Sequence, residues 1–269
     1  MTAKIDQAWE ILKGEGLQAL GRELQRFFQR RIMAAMAWSR GAFQIQVESR
    51  VARFEIRSYG EALNWIRTYQ TEEICLRYLI GRLRSADVFW DIGAYHGLYA
   101  ILAAQFCRKV IAFEPYSQNA RRIIMNTRLN GCQDRVRVLR IALSDREGPG
   151  FFDLRGGERA FMMGHVASQS DFPLRVQTAP GDALVLRGVP PPDVVKIDVE
   201  GHECSVLNGM RQILGKHVRQ LICEVHASAL ARHNQLGCVE RILREAGFEV
   251  TRLYERRTEY FVWAEKRPG

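Results

Sequence analysis

Asp198, Glu200, His202 and Glu203 crowd into six residues of the run DVVKIDVEGHE (193–203), just after an apolar stretch holding Val194, Val195 and Ile197. Lys196 stands inside that stretch, and Glu224 and His226 close the later run QLICEVH. Side chains of these types can accept or hold a proton, orient a hydroxyl, or ligate a hard cation. The candidate catalytic residues are therefore Asp198, Glu200, Glu224, His226 and Lys196, the lysine to orient a carboxylate or bind an anionic group. Each has a plainer alternative. Glu203 and His202 can serve the start of a following helix, where negative charge is favoured. Gly201 supplies a turn, and Lys196 can point to the far face of its strand. Asp198 and Glu224 at neighbouring strand ends could share Mg²⁺ through oxygen ligands. Nothing in the spacing demands a metal, and none is assigned.

A second group of residues offers binding rather than proton transfer. In DIGAYHG (91–97), Gly93 and Gly97 permit a tight turn and close backbone approach to a ligand. The spacing is not G-x-G-x-x-G, and the loop lacks the lysine of a P-loop. Asp91, at a strand end, favours a cationic or amino-bearing ligand. Glu114, in IAFEP (111–115), ends the next strand. An acidic residue about 20 residues beyond a glycine loop is where nucleotide-binding folds hold ribose hydroxyls. A third loop, ALSD (142–145), offers small apolar surface with Ser144 and Asp145 beside it, fit to flank an adenine ring.

These residues need a scaffold that gathers strand ends. Short apolar runs predict strands at VFWDIG, KVIAFEP, RVRVLRIALS, DVVKID and QLICEVH, with helices opening near Gly97 and covering 117–130, 203–214 and 236–246. Residues 146–175 read as an excursion with short strands, and Phe161, Met162 and Met163 there suit core packing or an apolar mouth. FEVTRLY and EYFVWAE predict a closing hairpin. Alternating strands and helices imply an α/β fold with a mostly parallel sheet covered on both faces and an antiparallel C-terminal edge. Upstream, 5–38 reads as a helix, 43–57 as a hairpin and 71–84 as a helix. The expected division is an N-terminal extension over 1–84 and the main domain over 85–269.

The chain of 269 residues carries a net charge of +9, spread along its length. That favours acidic partners such as phosphates, nucleic acid or anionic lipid without specifying one. The six cysteines form no C-x-x-C pair and read as buried thiols in a reducing compartment, not a disulfide frame. No run approaches a membrane span and no signal peptide is evident, so a soluble, cytoplasmic protein is expected. In 5–38, Trp9, Leu20, Leu24, Phe27 and Phe28 share a helical sector that Arg22, Arg26 and Arg30 mostly avoid. Such a helix is expected to pack on its own domain or on a second copy in a homodimer, with a membrane surface as the rival.

Together the loops resemble those of class I S-adenosylmethionine-dependent methyltransferases, a Rossmann-like fold. DVVKIDVEGHECSVLNGM followed by ICEVH is similar to the FkbM family, whose members act mainly on hydroxyl groups of sugars, polyketides and other small molecules. The resemblance covers about Asp87 to His226, with K-I-D-V-E-G-x-E its most specific element. Family members often carry D-I-G-A-N-x-G where Tyr95 and His96 stand here. The resemblance implies that Asp91, Gly93, Ala94 and Gly97 hold the methionine part of S-adenosylmethionine and Glu114 its ribose. It implies Ala142 and Leu143 by the adenine, and Asp198 at the cofactor amino group or the substrate. The expected function is O-methylation of a small hydroxylated molecule. An RNA methyltransferase and a non-catalytic binding protein are the alternatives.

Overall fold

The computed structural model describes residues 2–152, 161–162, 174–256 and 259–267. Met163 and most of the 146–175 excursion lie outside the described residues. The chain begins with α1 (Thr2–Ser39), the hairpin β1 (Ala42–Val47) and β2 (Arg50–Glu55), and α2 (Tyr59–Ile80). Then come β3 (Val88–Ile92), α3 (Leu98–Ala103), β4 (Lys109–Phe113), α4 (Ser117–Leu129) and β5 (Val136–Leu139). The short strands β6 (Ala142–Leu143), β7 (Gly148–Phe152), β8 (Phe161–Met162) and β9 (Leu174–Ala179) lead into α5 (Gly181–Leu186). The remainder is β10 (Val194–Ile197), α6 (Glu203–Asn208), α7 (Arg211–Lys216), β11 (Gln220–His226), α8 (Ala227–Arg232), α9 (Cys238–Glu245), β12 (Phe248–Arg256) and β13 (Glu259–Lys266).

Seven strands form the main sheet, in the order β12-β13-β11-β10-β3-β4-β5. β5, β4, β3, β10 and β11 run parallel, while β13 lies antiparallel to β11 and pairs with β12. The α/β class, the parallel sheet and the antiparallel edge are as expected from the sequence. Strand order turns back between β3 and β10, which opens a crevice beyond their carboxyl ends.

Register decides which side chains meet there. Asp91 is level with Lys196 on β10, and Lys196 with Ile222 on β11. Side chains alternate along a strand, so Asp91, Lys196 and Glu224 share one face. Trp90, Ile92, Val195, Ile197, Cys223 and Val225 take the other face and form the core with Leu207, Leu214, Val239 and Ile242. Both faces are covered, which is why β3, β4 and β10 are buried along their length rather than alternately.

Several boundaries differ from the sequence reading, one for a local reason and two through contacts from elsewhere in the chain. α2 starts at Tyr59, not near 71, because Ser58 Oγ accepts the Glu61 N–H at 3.1 Å while Glu61 Oε2 accepts the Arg57 N–H at 2.9 Å. That S-x-x-E pattern is a readable helix-start signal. The expected helix over 203–214 is broken in two. Asp182 captures the N–H groups of Gln212 and Ile213 at 3.0 and 2.9 Å and so founds α7 as a new helix. The expected third strand also splits: β5 stays in the main sheet, whereas Ala142 and Leu143 pair with Thr178 and Ala179 of β9 in a four-stranded sheet, β6-β9-β7-β8. α5 and α8 were not anticipated.

The cysteines correct one expectation. Cys75, Cys107, Cys132 and Cys223 are buried and free, but Cys204 and Cys238 form a disulfide. α6 and α9 bring their Cα atoms to 6.1 Å, within the range a bridge requires.

The chain divides into two compact units, Met1–Ile45 with Arg53–Glu73, and Gln46–Ala52 with Ile74–Gly269. In the first, Phe54 stacks on Trp65 at 4.4 Å between ring centroids, and Arg30 Nε donates to Gln70 Oε1 at 2.8 Å. Among the described side chains of α1, Ala34 and Ala37 are buried and all of those within 21–29 are exposed. Among the described residues no helix is long and apolar enough to cross a membrane.

Gly209, between α6 and α7, sits so close to the backbone that a Cβ would lie 1.9 Å from the Ser144 carbonyl oxygen. Gly209→Ala should therefore cost about 1–3 kcal/mol. Gly215, whose Cβ would meet nothing within 4 Å, provides the contrast. Gly215→Ala in α7 should be neutral or stabilise by up to about 1 kcal/mol. Thermal melts of the two variants check the pair, and equal melting temperatures would refute it.

Candidate active site

The site is assembled from four adjacent strand ends. Asp91, at the tip of β3, is fully buried. Its Oδ2 accepts the Ala100 N–H at 2.9 Å and braces the start of α3. Its Oδ1 has no hydrogen-bond partner, although the Lys196 ammonium lies 3.6 Å away. Burial raises the Asp91 pKa, and the charge of Lys196 pulls the other way.

Lys196 does not turn to the far face. Its Nζ donates to Gly93 O and to Asp198 Oδ2, each at 3.2 Å, and lies 5.2 Å from the centroid of the Tyr99 ring. One ammonium thus joins the tips of β3 and β10. Gly93 makes the approach feasible: at φ +78°, its Cβ would fall 1.8 Å from the Asp198 carbonyl oxygen. The Gly93 and Ala94 N–H groups both donate to Phe113 O, at 3.0 and 3.1 Å, tying the loop to β4. Gly97, at φ +87°, precedes α3.

Glu114 completes that side. Its Oε2 accepts the Tyr95 N–H and its Oε1 the Tyr116 N–H, both at 2.9 Å. The carboxylate is buried and fixed by backbone, so it holds one orientation. Tyr95 has a left-handed backbone, φ 50°, and its ring stacks on His96 at 3.8 Å. Tyr95, which departs from the family pattern, and His96 beside it therefore act as one aromatic slab.

On the other side of Lys196, His226 ends β11 among three carboxylates. Nδ1 lies 2.7 Å from Glu203 Oε1; Nε2 lies 3.3 Å from Glu200 Oε2 and 4.0 Å from Asp198 Oδ1. Burial alone would lower the His226 pKa. The bond to Glu203 and the charges of Asp198, Glu203 and Glu200 outweigh it and push the value up to about 10. The ring is consequently an imidazolium at neutral pH, with both nitrogens as donors. Glu200, held at φ 55°, extends towards solvent with its side chain 47% exposed. A non-glycine residue in that region is strained, as is common at functional sites.

Glu203 was read from the sequence only as a helix-start residue. It does open α6, but it is fully buried, and its Oε1 also accepts the Gly201 N–H at 2.9 Å. It closes the K-I-D-V-E-G-x-E element, but its pairing with His226 depends on β11 lying beside β10. His202 has a different role. Its Nε2 is 3.0 Å from Ser144 Oγ, and burial lowers its pKa to about 4, so it is a neutral link between two loops.

Glu224 is buried beside His226, and Glu259 of β13 joins them with ligand atoms within 4.8 Å of one another. Asp198, Glu200 and His226 make a second such trio. Both trios share His226, and an imidazolium has no lone pair for a metal, so either would have to displace a proton first. Ala142 and Leu143 stand apart in β6, both buried, with Leu143 in the main core.

Comparison with known proteins identifies the family. The methyltransferase FkbM domain model matches residues 91–250. The hexuronic acid methyltransferase AglP of Haloferax volcanii is 34% identical over 220 residues, spanning 81% of this chain and 86% of that protein. The crystal structure of methyltransferase FkbM from Methylobacillus flagellatus has the same fold, with a TM-score of 0.52 at 15% identity, covering 77% of this chain and 52% of that one. The chain belongs to the FkbM family of S-adenosylmethionine-dependent methyltransferases and is a methyltransferase enzyme.

Proposed function

We propose that this enzyme moves the methyl group of S-adenosylmethionine to a hydroxyl of a small molecule, with sugars and sugar-acid glycosides as the acceptor class. One observation carries the proposal: the polar chain that runs from Glu114 through the glycine loop and Lys196 to Asp198 and His226 across four neighbouring strand tips. The hexuronic acid relative supports the sugar class. Residues 85–269 would carry the reaction, with 1–84 as an extension. The four buried free thiols suit a cytoplasmic location, and the Cys204–Cys238 bridge counts against it.

The residues fit the cofactor. The unpartnered Asp91 Oδ1 suits the donor of an amino group, and the fixed Glu114 carboxylate suits a cis-diol. Gly93, Ala94 and Gly97 would line the methionine end and Ala142 the adenine end, with Leu143 supporting it from the core. S-adenosylmethionine held there would supply a sulfonium methyl group, whose C–S bonding pair would leave with sulfur as the acceptor oxygen took the carbon.

The protein then has two tasks, alignment and proton removal. As the O–C bond forms, the hydroxyl proton becomes strongly acidic, so a carboxylate is base enough to take it. Asp198 and Glu200 fill that role. Lys196 and the cationic His226 hold the pair in place, with Glu224 behind the ring. His226 itself keeps its proton at neutral pH and is an orienting group rather than the base. No metal is needed for this scheme. An RNA acceptor draws on the net charge of +9. Against it, the candidate residues are mostly carboxylates, which repel a phosphate backbone.

Titration calorimetry with S-adenosylmethionine separates these roles. Glu114→Ala should weaken binding by about 10–100-fold, equivalent to about 1.5–3 kcal/mol. Asp198→Asn and Glu200→Gln should keep affinity within a few-fold and lower methyl transfer by about 10²–10⁴-fold. Transfer would be followed on a panel of hydroxylated sugars, hexuronosides and RNA transcripts. Turnover on RNA alone would sink the sugar assignment.

A second measurement addresses His226. Its folded pKa, about 10, exceeds the ordinary 6.5. The resulting stabilisation is complete below pH 6.5 and is lost as pH climbs to about 10. Melting temperature should therefore fall across that window more steeply in the wild type than in His226→Gln. Glu203→Gln should bring the His226 pKa down, read by NMR of the imidazole. An unmoved pKa would contradict the pairing.

A further inference from the structure

We infer that α1 is a docking helix for an anionic lipid surface. Among the described residues, seven of the fifteen exposed large apolar side chains stand on α1 between Leu24 and Trp38. Leu24, Phe28, Ile32 and Met36, spaced by four, form one stripe and are 49%, 59%, 61% and 47% exposed. Phe27 and Trp38 flank it, 37% and 54% exposed. A stripe of this kind is not ordinary scatter of surface apolar residues, and it sits on the part of the helix that its own unit leaves uncovered.

Charge identifies the occupant. From Gln18 to Val47 the sequence holds five arginines, 22, 26, 30, 31 and 40, and one acid, Glu23. Arg30 is tied to Gln70, and Arg22, Arg31 and Arg40 are exposed. The Arg31 guanidinium lies 5.1 Å from the centroid of the Phe27 ring and 6.0 Å from that of Tyr59, which sets its charge beside the stripe. That is the arrangement of a helix lying in a headgroup layer, with apolar side chains immersed and long cations reaching phosphates. A second copy is the poorer occupant. Facing helices would oppose their arginines, and a heptad seam through Leu17, Leu24 and Trp38 would put Arg31 in its core. The inference is independent of the acceptor and of methyl transfer.

Flotation of the full chain with vesicles tests it. Vesicles of phosphatidylcholine containing one third phosphatidylglycerol should bind the protein, with affinity at least about tenfold above pure phosphatidylcholine. Raising salt from about 0.1 M to about 1 M shortens the screening length from about 10 Å to about 3 Å and should release most of it. Arg22→Gln with Arg31→Gln should weaken binding by about fivefold per arginine. Phe28→Glu and Ile32→Glu should abolish binding, with melting temperatures close to wild type because both sites are exposed. Three outcomes would overturn the proposal: no binding by the wild type, equal binding to neutral vesicles, or intact binding in both glutamate variants. A concentration-dependent dimer lost in Phe28→Glu, without vesicle binding, would instead assign the face to a second copy.

Discussion

The Lys196 ammonium is the pivot of the structure. It is nearly excluded from solvent, a condition a lone cation cannot sustain. Asp91 and Asp198 supply the opposing charge and Gly93 a carbonyl oxygen. Those partners come from two different strands, so the lysine's own need for neutralisation fixes how the tips of β3 and β10 meet. It also forces glycine at position 93, because the Asp198 carbonyl occupies the space a side chain would need.

From that joint the site grows outward in both directions by the same logic of unsatisfied polar groups. Towards β4, backbone N–H groups at Tyr95 and Tyr116 hold Glu114. Towards β11, His226 resolves the crowding of Asp198, Glu200 and Glu203 by remaining cationic. The carboxylates in turn make that charge affordable in a buried position. Asp91 and Glu203 each keep one buried oxygen without a hydrogen-bond partner. At Asp91 that leftover capacity lies beside the Lys196 ammonium, 3.6 Å away.

Helix breaks show how tertiary contacts edit local preference. Residues 203–214 read as one helix, yet Asp182, from a segment with no strong signal, seizes two N–H groups and restarts the helix. Ala142 and Leu143 similarly continue an apolar run that reads as one strand, but a partner in β9 draws them into another sheet. Ser58 and Glu61 are the opposite case: the helix start was written locally, in a four-residue capping pattern that went unread.

The sequence by itself determined the α/β class, the parallel core with its antiparallel edge, and the candidate residues at strand ends. Those features follow from short-range periodicity and from the rule that loops beyond parallel strands hold ligands. Only the tertiary structure decided that Lys196 faces Asp91, that Glu203 holds His226, that Cys204 meets Cys238, and that the stripe on α1 stays exposed. Each of these is a pairing, or a missing pairing, between segments far apart in the chain. Strand register and helix packing set such relations, and no local pattern encodes them.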